Sequence, residues 1–241
     1  MNRVGRAMTM FSIGAIMARL LWSGGFGFFV QQRMRIPLLL ATIVLLILGT
    51  YEAVAGTREQ DRDPEAANKQ FGPTVGWMLA LPLAVLVSVA PTGLGAAAAS
   101  RVDAFNPTDA TEIFEDLDTS DGPVQMRVID FLDRAIWDDS GSLENVVVRL
   151  EGLVVNSPDV PDGFKLTRFM VSCCAADGIP LQVALHNRGP ALADETWVVA
   201  DVMFRPPSIP FQETEGLWLV EADVISLTTS EFPNDPYESP Y

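Results

Sequence analysis

Val146-Val147-Val148-Arg149-Leu150-Glu151-Gly152-Leu153-Val154-Val155 is rich in β-branched residues, and Asn156-Ser157-Pro158 stops it. A run of this length between turn residues reads as a strand. Four more follow: Phe164–Ser172, Leu181–His186, Trp197–Phe204 and Leu217–Leu227. Asp177-Gly178, Asn187-Arg188-Gly189-Pro190 and Arg205-Pro206-Pro207 separate them. Five strands with Gly152 inside the first suggest a small, strongly curved barrel, and the count is that of an OB-like fold.

One helix precedes the strands. From Val124 to Trp137 the apolar residues Val128, Ile129, Leu132, Ile136 and Trp137 recur at helical spacing, while Arg127, Asp130, Asp133 and Arg134 fill the other face. The Asp138-Asp139-Ser140-Gly141-Ser142 cluster then ends it. Upstream, Asp103 to Gly122 is rich in Asp, Thr, Ser, Pro and Glu and reads as an acidic tether over 101–122, with a short helix around Thr111 to Leu117. The soluble domain is then 123–241.

The N-terminal hundred residues differ in charge. They hold eight basic residues and five acidic ones, a balance of +3, whereas the whole chain carries −15, so 101–241 carries −18. This split predicts a basic α-helical membrane region over 1–100 and an acidic soluble half. An acidic domain repels phosphate backbones, so no nucleic-acid partner is expected.

Three membrane spans are expected. Ile36 to Ala55 is apolar except for Glu52, and 20 such residues cover the ~30 Å bilayer core. Val75 to Ala99 has no ionisable residue, and its Pro82 and Pro91 are tolerated where neighbouring helices re-satisfy the backbone. The third candidate is 8–30. Arg19 inside it, and no small-x-small site close behind it, read against a cleaved leader. An arginine at mid-span costs about 2.5–3.5 kcal/mol on insertion scales, so Arg19 either faces a partner helix or snorkels along a tilted one. With the N-terminus inside, basic residues divide five inside (Arg3, Arg6, Arg58, Arg62, Lys69) to three outside (Arg33, Arg35, Arg101). That division predicts a multi-pass cell-membrane protein with an extracytoplasmic C-terminal domain.

Both cysteines stand side by side in Arg168-Phe169-Met170-Val171-Ser172-Cys173-Cys174-Ala175-Ala176-Asp177. Three readings are open. As thiolates, with Asp177 and less favourably His186, Cys173 and Cys174 are ligands for a Zn²⁺-like metal. As neighbours they are a strained, readily reduced disulfide pair. As free cysteines they are small core hydrophobes. Successive side chains on a strand point to opposite faces, so both sulfurs reach one ion only where the strand ends, and Asp177-Gly178 supplies an end. Arg168 stands beside the pair and is a candidate partner for Asp177 or an anion. No Ser-His-Asp set, phosphate-binding glycine loop or helical carboxylate pair is present, and no enzymatic activity is expected.

The Arg168-Phe169 and Cys173-Cys174-x-Ala176-Asp177 residues with Pro180 resemble the C-terminal domain of the YcgQ-type (DUF1980) family of two-component permease subunits. Pro91-Thr92-Gly93-Leu94-Gly95-Ala96 with Arg101, Thr196-Trp197-Val198-Val199 and Pro233-Asn234-Asp235-Pro236-Tyr237 extend the resemblance over nearly the whole chain. Ala200-Asp201 departs from it where the family tends to have glycine. The resemblance implies an OB-like domain, a multi-span permease of the UPF0718 (DUF318) type as partner, and a metal such as zinc as cargo, though no residue names the metal. A membrane-anchored thiol redox or metal-chaperone protein without a transport role is the alternative.

Overall fold

The computed structural model describes residues 3–62, 94–100, 114–187, 191–207 and 219–240. The chain forms two compact units, Met1–Gly93 and Leu94–Tyr241.

In the first unit, α1 (Arg3–Ser23) and α2 (Arg35–Arg62) pack against each other. Gly24 ends α1 in the left-handed conformation, with φ at 73°, which glycine adopts without a Cβ penalty. Pro37 is tolerated in the first turn of α2, where the backbone N–H has no helical partner. The helices meet at small residues: a Cβ on Gly14 would lie 2.9 Å from Leu46 Cδ2, and one on Gly49 would lie 3.2 Å from Phe11 Cδ2. Close approach therefore runs through Gly14 and Gly49, with the pairing 14 to 46 and 49 to 11 making the helices antiparallel. The outer face of α2 exposes Ile36, Leu40, Val44, Ile47 and Tyr51, a surface suited to lipid.

The three-span expectation does not hold. Among the described residues one helix, Gln32–Ala55, is long and apolar enough to cross a membrane, and Ala7–Ser23 is a shorter apolar helix. The 8–30 candidate breaks at Gly24 and continues as a short 3₁₀ turn, Gly25–Phe28. Of the 75–99 candidate, 75–93 lies outside the described residues. Leu94, Ala96, Ala98 and Ala99 pack on the sheet of the second unit instead, so the second unit begins at Leu94, ahead of the expected tether. The described residues therefore do not support a multi-pass chain, and the five-to-three count of basic residues does not orient the second unit.

The second unit opens with a single helical turn, α3 (Ala96–Ala99). Then come β1 (Val124–Gln125), α4 (Val128–Trp137), β2 (Val147–Val155), β3 (Gly163–Met170), β4 (Ile179–His186), β5 (Trp197–Arg205), β6 (Val220–Thr229) and β7 (Tyr237–Glu238). Five of these strands close a ring in the order β2-β5-β6-β4-β3, shut by a β2–β3 pairing. All its pairings are antiparallel except β4–β6. This C-terminal sheet is consistent with the OB-like barrel expected from the strand count. The expectation missed β1 and β7, which pair in parallel with β2 and β3. Of the tether, 101–113 lies outside the described residues, and 114–119 is not helical. Leu117 packs against the core.

Closure depends on β2, whose residues 147–153 pair with β5 while 153–155 pair with β3. Gly152 sits at the changeover, where a Cβ would lie 2.8 Å from Leu166 Cδ2 and 2.9 Å from the Thr167 carbonyl oxygen. The ring's interior is filled in part from α4, which buries Val128, Phe131, Leu132 and Ile136. That spacing (i, i+3, i+4, i+8) makes one apolar face. Each large side chain so buried contributes roughly 1.5–3 kcal/mol.

The C-terminal tail caps that helix. Glu238, 4% exposed, accepts the N–H groups of Val128 (2.8 Å) and Ile129 (2.9 Å), two donors with no partner inside the helix. Burial lifts its carboxyl above the usual range, while these two N–H groups, Arg168 and Arg127 pull the other way.

Two outcomes follow from this packing. A Cβ on Gly163 would lie 1.7 Å from the Leu185 carbonyl oxygen, so Gly163→Ala should destabilise the barrel by about 2–4 kcal/mol, read as a lower urea midpoint at unchanged slope. Glu238 holds its proton more tightly folded than unfolded. Its contribution is therefore most favourable below the free-glutamate value and falls as pH rises towards the raised folded value. Thermal melts across that window should show this decline in the wild type and a flatter profile in Glu238→Gln.

A candidate metal site at the cysteine turn

β3 ends at Met170 and β4 begins at Ile179, so the cysteines lie in the connection and not on a strand. Released from strand alternation, the chain makes a tight turn. Cys174 precedes a short 3₁₀ segment, Ala175–Asp177, and Asp177 reaches back over it. One carboxylate oxygen accepts the Ser172 N–H at 2.8 Å. The other accepts the Cys173 N–H at 2.9 Å, the Cys174 N–H at 3.3 Å and the Cys173 thiol at 3.0 Å. A carboxylate taking several backbone donors is a strong turn organiser.

Both cysteines are free; Cys173 is exposed and Cys174 partly so. They are not core residues. The two sulfurs and one Asp177 oxygen lie within 4.8 Å of one another. Donors on a shared zinc, at about 2.3 Å for sulfur and 2.0–2.2 Å for oxygen, sit up to roughly 4 Å apart, so a contraction of about an ångström brings all three onto one ion. Two sulfurs and an oxygen suit a borderline-soft divalent ion with one position left open.

Electrostatics set a condition on ligation. The hydrogen bond to Asp177, and next that with Cys174, pushes the Cys173 thiol up to about 11. The same thiol bond holds Asp177 below the usual carboxylate range; desolvation opposes it, and the backbone N–H groups of Cys173, Ser172 and Cys174 add to the lowering. Near neutral pH the thiol is thus protonated, and a metal must displace that proton.

The other residues singled out from the sequence do not join this turn. Arg168 points away from Asp177. It donates to the Asp235 carbonyl oxygen at 3.0 Å, lies 3.7 Å from Glu238 and 3.9 Å from Glu151, and stacks 5.2 Å above the Trp197 ring. It is the tail's anchor. His186 closes the far end of β4, with Nδ1 2.8 Å from Asp162 and Nε2 3.4 Å from Glu221. Seven residues of strand, roughly 23 Å, part it from the turn. Arg19 is exposed on α1. Trp218 and the Arg188-Gly189-Pro190 breaker lie outside the described residues. Leu94, Gln182, Glu195 and Glu238 hold the elements around the turn. No local motif marks them, because the hydrogen-bond partners of Gln182, Glu195 and Glu238 lie 83 to 110 residues away and that of Leu94 is Tyr237.

No family model matches the chain, and no curated protein matches it. Among solved structures the chain is similar to one described as an aspartyl-tRNA synthetase from Leishmania major Friedlin, at 12% identity over 54% of this chain and 24% of that one, with a TM-score of 0.25. At that score the likeness establishes neither fold nor activity.

Asp177→Ala should let the Cys173 thiol fall back towards its ordinary range. Alkylation of Cys173 at pH 9 should then accelerate roughly tenfold or more, since the thiolate is the reacting form. A rate profile against pH that matches the wild type would show that Asp177 does not hold the proton.

Proposed function

We propose that this protein is a membrane-anchored accessory subunit of a permease, whose barrel offers Cys173, Cys174 and Asp177 to a soft divalent metal ion, with zinc foremost. The observation that carries the reading is the exposed turn itself, with three ligand atoms within 4.8 Å in a chain whose first unit includes a helix of membrane-crossing length. The two apolar helices among the described residues make a poor conducting path alone, which supports a subunit rather than a complete transporter. The resemblance to YcgQ-type proteins supplies the partner class, a multi-span permease of the UPF0718 (DUF318) type. The reading assigns no catalysis to the chain.

Cys173, Cys174 and Asp177 would hold the ion, which would supply charge and a template for its own transfer. The residues' part is to bind and to exchange protons: Cys173 gives up its proton to solvent, and Asp177 trades backbone N–H groups for the ion. Exposure of Cys173 beside a second thiol favours one further reading, reversible oxidation to a disulfide without transport.

The protein purified in detergent should retain about one zinc per chain, lost in the Cys173→Ser/Cys174→Ser double variant, and affinity should rise with pH as the thiol proton becomes easier to displace. A multi-span permease should co-purify with it. Zinc-free protein whose thiols oxidise reversibly to a disulfide, with no permease attached, would replace this reading by the redox one.

A further inference from the structure

The segment that enters the barrel unit rests directly on the cysteine turn. Leu94 lies against Gly178, the residue after Asp177, so closely that a Cβ there would come within 2.2 Å of Leu94 Cδ1. Glycine at 178 is what makes room for it. Leu94 also contributes a backbone hydrogen bond to Tyr237. The Ala96 N–H then donates to Glu195 Oε1 at 3.2 Å, and buried Gln182 donates through Nε2 to the Ala99 carbonyl oxygen at 3.3 Å. Between these points the alanines pack on Leu153, Val155, Phe169 and Val171. The segment is a clasp, held by side chains of the barrel at both ends.

We infer that metal loading of the cysteine turn loosens this clasp, so that the segment leading back to the membrane unit reads the occupancy of the site. The inference rests on the metal reading above and concerns its regulation. Drawing two sulfurs and Asp177 onto one ion requires the contraction described above, and it takes from Asp177 some of the backbone donors that shape the turn. Gly178 follows Asp177 and withdraws from Leu94. Close packing makes such a contact intolerant of small shifts, since a gap of 0.5–1 Å forfeits a quarter to a half of the attraction. Linkage is reciprocal: a ligand that weakens the clasp binds more tightly when the clasp is already weak.

The test uses the full chain in detergent, metal-stripped and then titrated with zinc. Amide hydrogen exchange at Ala96, Ala98, Ala99 and Ser100 should accelerate on loading in the wild type and stay unchanged in the Cys173→Ser/Cys174→Ser variant. Leu94→Ala should bind zinc about fivefold or more tightly, and Gln182→Ala, which frees the other end of the clasp, should shift affinity in the same direction. Zinc binding with unchanged exchange and wild-type affinity in both variants overturns the inference and leaves the metal reading standing. Failure of the wild type to bind zinc overturns both.

Discussion

One strand belongs to two partners, and the second unit is organised around that constraint. β2 gives residues 147–153 to β5 and 153–155 to β3, and the ring closes only because the strand can turn at Gly152. Closure pairs β2 with β3 at 153–155, β1 and β7 cover further stretches of those two edges, and the ring creates an interior that must be filled. Buried strand side chains such as Leu150, Phe164, Leu185 and Val202 fill it together with the apolar stripe of α4. The ring also fixes β3 against β4 over eight residue pairs, so the turn joining them is held at both ends. The cysteines therefore sit on a rigid support while remaining at the surface, a combination that suits a binding turn.

Around that ring the chain uses carboxylates as backbone caps. Glu238 closes the start of α4, Glu195 meets the start of α3, and Asp177 organises the cysteine turn. In each case an acceptor is set against N–H groups that lack helical partners. Asp138 does similar work after α4, accepting both backbone and hydroxyl hydrogens of Ser140 and Ser142. The excess of acidic residues in 101–241 is thus partly structural and not only a solvated surface. Glu238 is the costly member of the set, because it is buried, and the Ile129 and Val128 N–H groups with Arg168 and Arg127 offset only part of that cost.

Local pattern made most of the barrel legible. Every one of the five long strands was readable within about three residues, because β-branched runs between turn residues have few other solutions, and the glycine at 152 pointed to curvature. The helix at 128–137 declared itself by its stripe. The end of the expected span 75–99 was misplaced for a physical reason: Leu94-Gly95-Ala96-Ala97-Ala98-Ala99 is small and apolar, and hydropathy does not distinguish a surface that faces lipid from one that faces Phe169 and Val171. Gly24, Gly25 and Gly27 form the turn after α1, while Gly14 and Gly49 make the contact between the two helices. Arg168 lies near Asp177 in sequence, but its contacts are elsewhere. On a strand its side chain crosses to neighbours such as Trp197 and the tail, which sequence distance conceals. Glu238 was not legible at all, since the donors it caps lie 110 and 109 residues away.

Asp177 ties these threads together, because the same two oxygens are asked to do incompatible things. As a cap they are saturated by three N–H groups and a thiol, and that arrangement keeps Cys173 protonated. As a ligand they must give part of this up. A turn built by apolar packing alone could take up an ion without rearranging, whereas here occupancy and turn geometry draw on one carboxylate. In the proposed metal site, proton, metal and backbone shape at 172–178 would be coupled through a single side chain. Gly178 would carry that coupling to the next contact, where Leu94 leaves no slack.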